Sequence, residues 1–306
     1  MIDPVPAPLV PFHGAVPPAP DWFTAAVAHA PEVSTVTVTG AVLEVLSWGE
    51  VGRPGLLFLH GNGAHAGWWR FVAPFFAASH RVVAFSWSGM GGSDHRAEYA
   101  IATFVDEIAA VIAATGLAAA APPVAVGHSF GGFPMMAAAQ GSVVDLAAAV
   151  IVDTPFRPSD DREFRPPNAT ERVHKVYPDL TSALARFRFA PPQACANPFI
   201  ADLIARGSLI ERDRGFTWRF DPFLWGRFRI GDALRLLDAP RCPVALVWGE
   251  RSQLMPPDRV AAMRALLPPG SPAIPIPDAD HHVMVDQPLA FVAALRALLA
   301  AWPGRG

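Results

Sequence analysis

The residues best placed to do chemistry in this chain lie in Val124–Gly132, with Ser129 at their centre. Val124, Ala125 and Val126 read as the end of a buried strand, and Met135–Gln140 reads as a helix. Between them, Gly127-His128-Ser129-Phe130-Gly131 spells G-x-S-x-G. That spelling suits a turn so tight that the serine is forced into strained backbone angles, with flanking glycines removing Cβ atoms that would collide. The hydroxyl is then held out at the amino end of a helix, where N–H groups and the helix dipole favour negative charge. Serine attack also needs a base for the proton, an acid to orient that base, and donors for the oxyanion.

The elements around Ser129 decide whether such partners exist. Val33–Thr39 alternates and is β-branched, Gly40 turns it, and Val42–Trp48 answers it, so the pair reads as a hairpin. Gly55–Leu59 is a continuous apolar run that ends in His60-Gly61-Asn62-Gly63, with a helix predicted through Trp68–Ala73. Arg81–Phe85 is the next buried strand, followed by the glycine-rich stretch Ser86–Asp94. Thr103–Ile112 has helical spacing, with Thr103 as its N-cap. The serine strand and helix come next, then Ala147–Asp153. Strands alternating with helices imply a mostly parallel sheet with its chemistry beyond the carboxyl ends of the strands. His60, Ser86, Ser129 and Asp153 all stand at such ends.

From Thr154 to about Pro240 the alternation stops, and arginine, proline and aromatic residues take over, with Trp218, Phe220, Phe223, Trp225 and Phe228 crowded together. The sheet resumes at Val244–Trp248, followed by a helix over Asp258–Leu267 and a last strand near Ala273–Ile276. A final helix runs from about Pro288 to Ala301. The base is expected after the last strand, where His281 stands with His282 as its rival. The organisation is therefore an arm over 1–30, a core over 31–154 and 241–306, and a cap insertion over 155–240.

Composition narrows the function classes. A chain of 306 residues, 52% hydrophobic and 17% charged, can build a sizeable core. The net charge of −3 and the absence of a long Lys/Arg run argue against nucleic acid or an anionic membrane as partner. Cys195 and Cys242 are too few for a disulfide framework and read as inert, reduced thiols. The first twenty residues are studded with proline and lack a basic, then apolar, pattern, so they read as an extended arm and the expected location is cytoplasmic. His13, His29, His65, His80, His95 and His174 show no metal-ligand spacing, so neither metal nor cofactor is expected.

Leu59-His60-Gly61 after the third strand, Gly89–Asp94 after the fourth, Gly127–Gly131, and His281 ahead of Asp286-Gln287-Pro288 jointly resemble the α/β-hydrolase superfamily. The resemblance covers nearly all of the chain apart from the arm. It implies an α/β fold with a mostly parallel eight-stranded sheet flanked by helices and interrupted by a helical cap. It favours His281 as base, with His282 as structural neighbour. Where most members carry Asp in the loop after the seventh strand, this chain has Ser252 in Gly249-Glu250-Arg251-Ser252. Asp153 resembles the acid of an esterase branch that takes it from the end of the sixth strand, with a serine such as Ser252 as auxiliary. Glu250 is the alternative acid, or else a loop carboxylate paired to Arg251. The oxyanion donors implied are the backbone N–H groups of Phe130 and Asn62, with a side-chain contact as the other role for Asn62. His60 and His128 are expected to be structural, Asp280 a turn residue, and Trp68 and Trp69 either pocket wall or core. Arg157, Arg162, Arg165, Arg186 and Arg188 carry no assigned role.

The activity expected is hydrolysis of carboxylic esters of small, largely apolar substrates through an acyl-enzyme. A lactonase, a thioesterase or a C–C bond hydrolase would use the same residues, and an inactive hydrolase-fold binding protein is the non-enzymatic alternative.

Overall fold

Alternation within the central strands fixes how the two layers of core form. The computed structural model describes residues 5–141, 143–157, 173–229 and 232–302. In it β1 (Glu32–Val38), β2 (Ala41–Trp48), β3 (Gly55–Leu59), β4 (Arg81–Phe85), β5 (Val124–His128), β6 (Ala148–Val152), β7 (Val244–Gly249) and β8 (Ala273–Ile276) form one sheet. Their order across this eight-stranded sheet is β1-β2-β4-β3-β5-β6-β7-β8. β2 pairs antiparallel with β1 and β4, and every pairing from β4 to β8 is parallel. β3, β4 and β6 are buried at every residue, as continuous apolar runs in a parallel sheet must be.

Successive residues face opposite sides. Leu56, Phe58, Val126, Val150 and Val247 pack with Phe23 of α1 (Asp21–Ala28) and with Phe291 and Leu295 of the C-terminal helix Pro288–Ala301. Leu57, Leu59, Ala125, Ile151 and Leu246 face the other layer. There they meet Phe104 and Ile108 of α2 (Ile101–Ala114), Met135 and Met136 of α3 (Gly132–Gln140), and Met263 of the helix Pro257–Leu266.

Between β6 and β7 the described chain holds α4 (Leu180–Leu184), α5 (Pro198–Gly207) and a hairpin of Leu209–Arg212 with Gly215–Trp218. Ile200, Ala201, Ile204 and Ala205 of α5 join the first core layer. Arg162 and Arg165 lie outside the described residues.

Three local expectations are corrected. The segment from Trp68 to Ala73 is no α-helix; it forms 3₁₀ turns at Ala66–Trp69 and Ala73–Phe75, consistent with Gly67 and Pro74 weakening a longer helix. Thr103 is not the cap of α2, which starts at Ile101 after Ala100. Tyr99–Ala100 is held extended by parallel pairing with Phe228–Arg229, so the chain turns helical as soon as that pairing ends. The proline-rich arm is docked rather than merely extended: Leu9 is buried in the first core layer, Val10–Phe12 makes a 3₁₀ turn, and the Gly14 carbonyl accepts a bond from Arg206 Nη2.

One buried ion pair anchors the loop after β4. Glu107 of α2 is fully buried, accepts from the Ser88 N–H at 3.1 Å, and meets Arg96 at 3.1 Å. Removing one partner of such a pair strands a buried charge. Arg96→Ala is expected to lower unfolding free energy by about 3–5 kcal/mol in a urea titration. The double replacement Arg96→Met with Glu107→Leu should lose less than the single one.

Candidate active site

Ser129 follows the last residue of β5 and opens a 3₁₀ turn, Ser129–Gly131, that runs into α3. Its φ of 51° lies in the left-handed region, which costs a non-glycine residue about 1–3 kcal/mol. The neighbouring glycines explain how the turn closes. A Cβ on Gly127 would meet the Gly131 carbonyl oxygen at 2.8 Å, and one on Gly131 would meet the Leu59 carbonyl oxygen at 2.7 Å. The strand-to-helix junction is thus packed backbone against backbone, with the serine as the residue that must project.

His281 lies between β8 and the short helix Val283–Asp286. Its Nε2 is 2.9 Å from Ser129 Oγ, and its Nδ1 is 2.7 Å from Asp153 Oδ1. Asp153 stands at the carboxyl end of β6 with φ 46° and no solvent exposure. Its carboxylate also accepts from Ser252 Oγ at 2.7 Å and from the Gly249 N–H at 2.8 Å. A carboxylate at Nδ1 holds the proton there, leaving Nε2 to accept from the serine. The structure therefore brings Ser129, His281, Asp153 and Ser252 into one chain of contacts.

Glu250 does not join them. It is exposed at the surface end of β7, and Arg251 pairs with Asp278 at 3.3 Å instead of with Glu250. Gly249 lies close against the Ala279 and Asp280 carbonyls, which directs the next residue outward.

The loop after β3 reaches the serine. A Cβ on Gly61 would sit 3.1 Å from Ser129 Cβ, and Asn62 follows directly. The Asn62 side chain accepts from Trp225 Nε1 at 2.8 Å, the second of the two roles expected for it. Phe130 is buried, and the Trp225 ring meets its ring edge-on with centroids 5.3 Å apart. One indole from the segment between β6 and β7 thus touches both residues whose backbone donors were expected at the oxyanion. His60 is structural: its Nδ1 bonds the Gly61 carbonyl, and its Nε2 accepts from the Trp87 N–H. Trp69 stacks between Phe58 and Phe291 in the core, whereas Trp68 faces Phe189 and His282.

Bracing contacts were missed in the sequence. Gln193 donates to both carboxylate oxygens of Asp286 at 2.9 Å and accepts from the His282 N–H. Asn197 Nδ2 donates to the Val285 and Asp286 carbonyls, and Asp286 in turn accepts from the Asp280 N–H. His128 Nε2 donates to the His281 carbonyl at 3.0 Å. The loop carrying His281 is therefore tied down on both sides. The aromatic crowding around Trp225 was the one visible sequence signal for this part of the site. No spacing pattern marks Gln193 or Asn197.

His128, His281 and His282 form a buried trio with donor nitrogens within 4.8 Å of one another. Both nitrogens of His281 are engaged with Ser129 and Asp153, and His128 Nε2 is engaged with a carbonyl. The His282 ring is buried against Trp68 and Phe189. Cys195 is half-buried, and burial pushes its thiol up to about 11, while Cys242 is buried.

The alpha/beta hydrolase family matches residues 56–295, and the chain belongs to that family. Among solved structures it is similar to a thioesterase domain from the curacin biosynthetic pathway, with a TM-score of 0.72 and 23% identity. That match covers 89% of this chain and 99% of the other. It is also similar to E-2-(acetamidomethylene)succinate hydrolase, with a TM-score of 0.71, 20% identity and 88% and 99% of the two chains covered. An esterase from Thermogutta terrifontis gives a TM-score of 0.69 at 22% identity, covering 89% and 99%. Among the described residues no helix is long and apolar enough to cross a membrane.

The buried imidazoles make stability sensitive to acid. Burial lowers His60 to about 3 and His65 to about 4, and holds His128 and His282 well below their ordinary value. The unfolded chain takes up these protons near pH 6.5, before the folded one does, so stability is fully present above about 6.5 and lost as pH falls below it. Each such group contributes a slope of at most about 1.4 kcal/mol per pH unit. Urea midpoints measured from pH 7.5 to 4.5 should fall steeply below pH 6.5. A flat profile across that range would contradict the burial of these rings.

Proposed function

We propose that the protein is a serine hydrolase that cleaves carboxylic esters of small, largely apolar substrates. The observation that carries this reading is the continuous contact chain Ser129–His281–Asp153, at 2.9 and 2.7 Å, on a strained strand-to-helix turn. Ser129 Oγ attacks the ester carbonyl while His281 Nε2 takes its proton. Asp153 keeps the imidazole in the required tautomer and stabilises the imidazolium. The backbone N–H groups of Phe130 and Asn62 receive the oxyanion. His281 then protonates the departing alcohol, and the same ring activates water to hydrolyse the acyl-serine. Ser252 supports the relay by donating to the carboxylate. The reading calls for no metal or cofactor, and its partner is the small ester itself. Trp225, partly exposed and packed on Phe130, the residue after the serine, supports an apolar substrate.

Hydrolysis of p-nitrophenyl butyrate tests this reading, with lactone and thioester substrates assayed alongside. Ser129→Ala is expected to lower kcat by about 10⁴-fold or more. Asp153→Asn should cost a similar factor, whereas Glu250→Gln stays near wild type. Loss of activity with Glu250→Gln alone would overturn the assignment of the acid. No turnover of any ester and no serine labelling by a phosphonate would favour a binding scaffold.

Trp225→Phe keeps an aromatic side chain and removes the indole N–H that holds Asn62. Its expected signature is a fall in kcat of about tenfold with little change in KM, measured on the same ester. An unchanged kcat would sever Trp225 from the oxyanion loop.

A further inference from the structure

A cavity of about 350 Å³ opens beside β2 and the turn after β3, and it shares no lining residue with the Ser129 centre. Glu44, His65, Arg70 and Arg219 line its polar side, and Leu46 and Leu203 belong to its apolar side. Two guanidinium groups stand there incompletely bonded. The Nε atoms of both Arg70 and Arg219 are buried without a hydrogen-bond partner. Arg70 has no hydrogen-bond or ion-pair partner for its side chain among the described residues. Arg219 is held only loosely by Glu44, at 3.7 Å.

One oxygen of Glu44 is already committed elsewhere, and the other is the one facing Arg219. Glu44 Oε2 accepts from Ser86 Oγ at 2.7 Å and from the Gly92 N–H at 3.0 Å. His65 adds no charge near neutral pH, because burial lowers its pKa to about 4. Its ring is already bonded, accepting from the Gly67 N–H and facing Ser208 Oγ and the Ile204 carbonyl. Two cations set against one carboxylate leave the pocket short of one negative charge. Both arginine side chains stay partly exposed at the cavity, and a planar guanidinium matches a carboxylate with two parallel hydrogen bonds.

We propose that this cavity binds a small monocarboxylate with an apolar body, its carboxylate taken by Arg70 and Arg219 and its body laid against Leu46 and Leu203. Arg219 also lines a neighbouring cavity, whereas Arg70 lines this one, so Arg70 is the residue to change. The site does not depend on the hydrolytic reading.

Isothermal titration of benzoate into the full chain tests the proposal, with inorganic phosphate as the second probe. Benzoate is expected to bind one-to-one and more tightly than phosphate, and Arg70→Met should weaken it by about tenfold or more. Arg70→Lys keeps the charge but loses the planar fork, so it should weaken binding less; it also serves if Arg70→Met does not fold by circular dichroism. Benzoate bound equally by wild type and both variants would place it elsewhere and overturn the proposal. So would the absence of binding, or tighter binding of phosphate.

Discussion

The contact between Asp153 and His281 organises the carboxyl end of the sheet. It joins the end of β6 to the loop after β8, with β7 between them, and β7 supplies the Gly249 N–H that holds the carboxylate from the other side. A carboxylate with no solvent exposure is tolerable only when its lone pairs are filled, and here Ser252, Gly249 and His281 fill them. Three strands must therefore be in register before the imidazole can face the serine. Ser129 and Asp153, two of the non-glycine residues with left-handed φ among the described residues, lie at adjacent strand ends, where the side chains must converge.

Much of this was legible in the residues. Gly127 and Gly131 mark a turn that only glycine permits at both walls, and the continuous apolar runs of β3 and β6 mark buried parallel strands. The serine at position 252, where an acid is more common, pointed to Asp153, and the two side chains do meet at 2.7 Å. What was not legible depends on contacts between distant parts of the chain. Trp225 and Asn62 are 163 positions apart, and Asn197 and Val285 are 88 apart; no local periodicity encodes such a meeting. The misread helix after β3 has a different cause. Gly67 and Pro74 break the run, and Trp69 is fixed by stacking on Phe58.

Electrostatics at the site follow from burial more than from charge. The two imidazoles that meet the His281 ring, His128 and His282, are held well below their ordinary value by burial, so His281 sits among uncharged rings rather than among cations. Asp153 is the carboxylate that bonds the His281 ring, at 2.7 Å.

The brace from Gln193 and Asn197 to the Asp286 segment has a consequence for anyone exchanging parts between related proteins. The stretch between β6 and β7 is the natural piece to transplant when a new specificity is sought. In this chain it is also the scaffolding of the loop that carries His281. A chimera that imports a foreign stretch without an amide at both positions would inherit a new pocket together with a slack histidine.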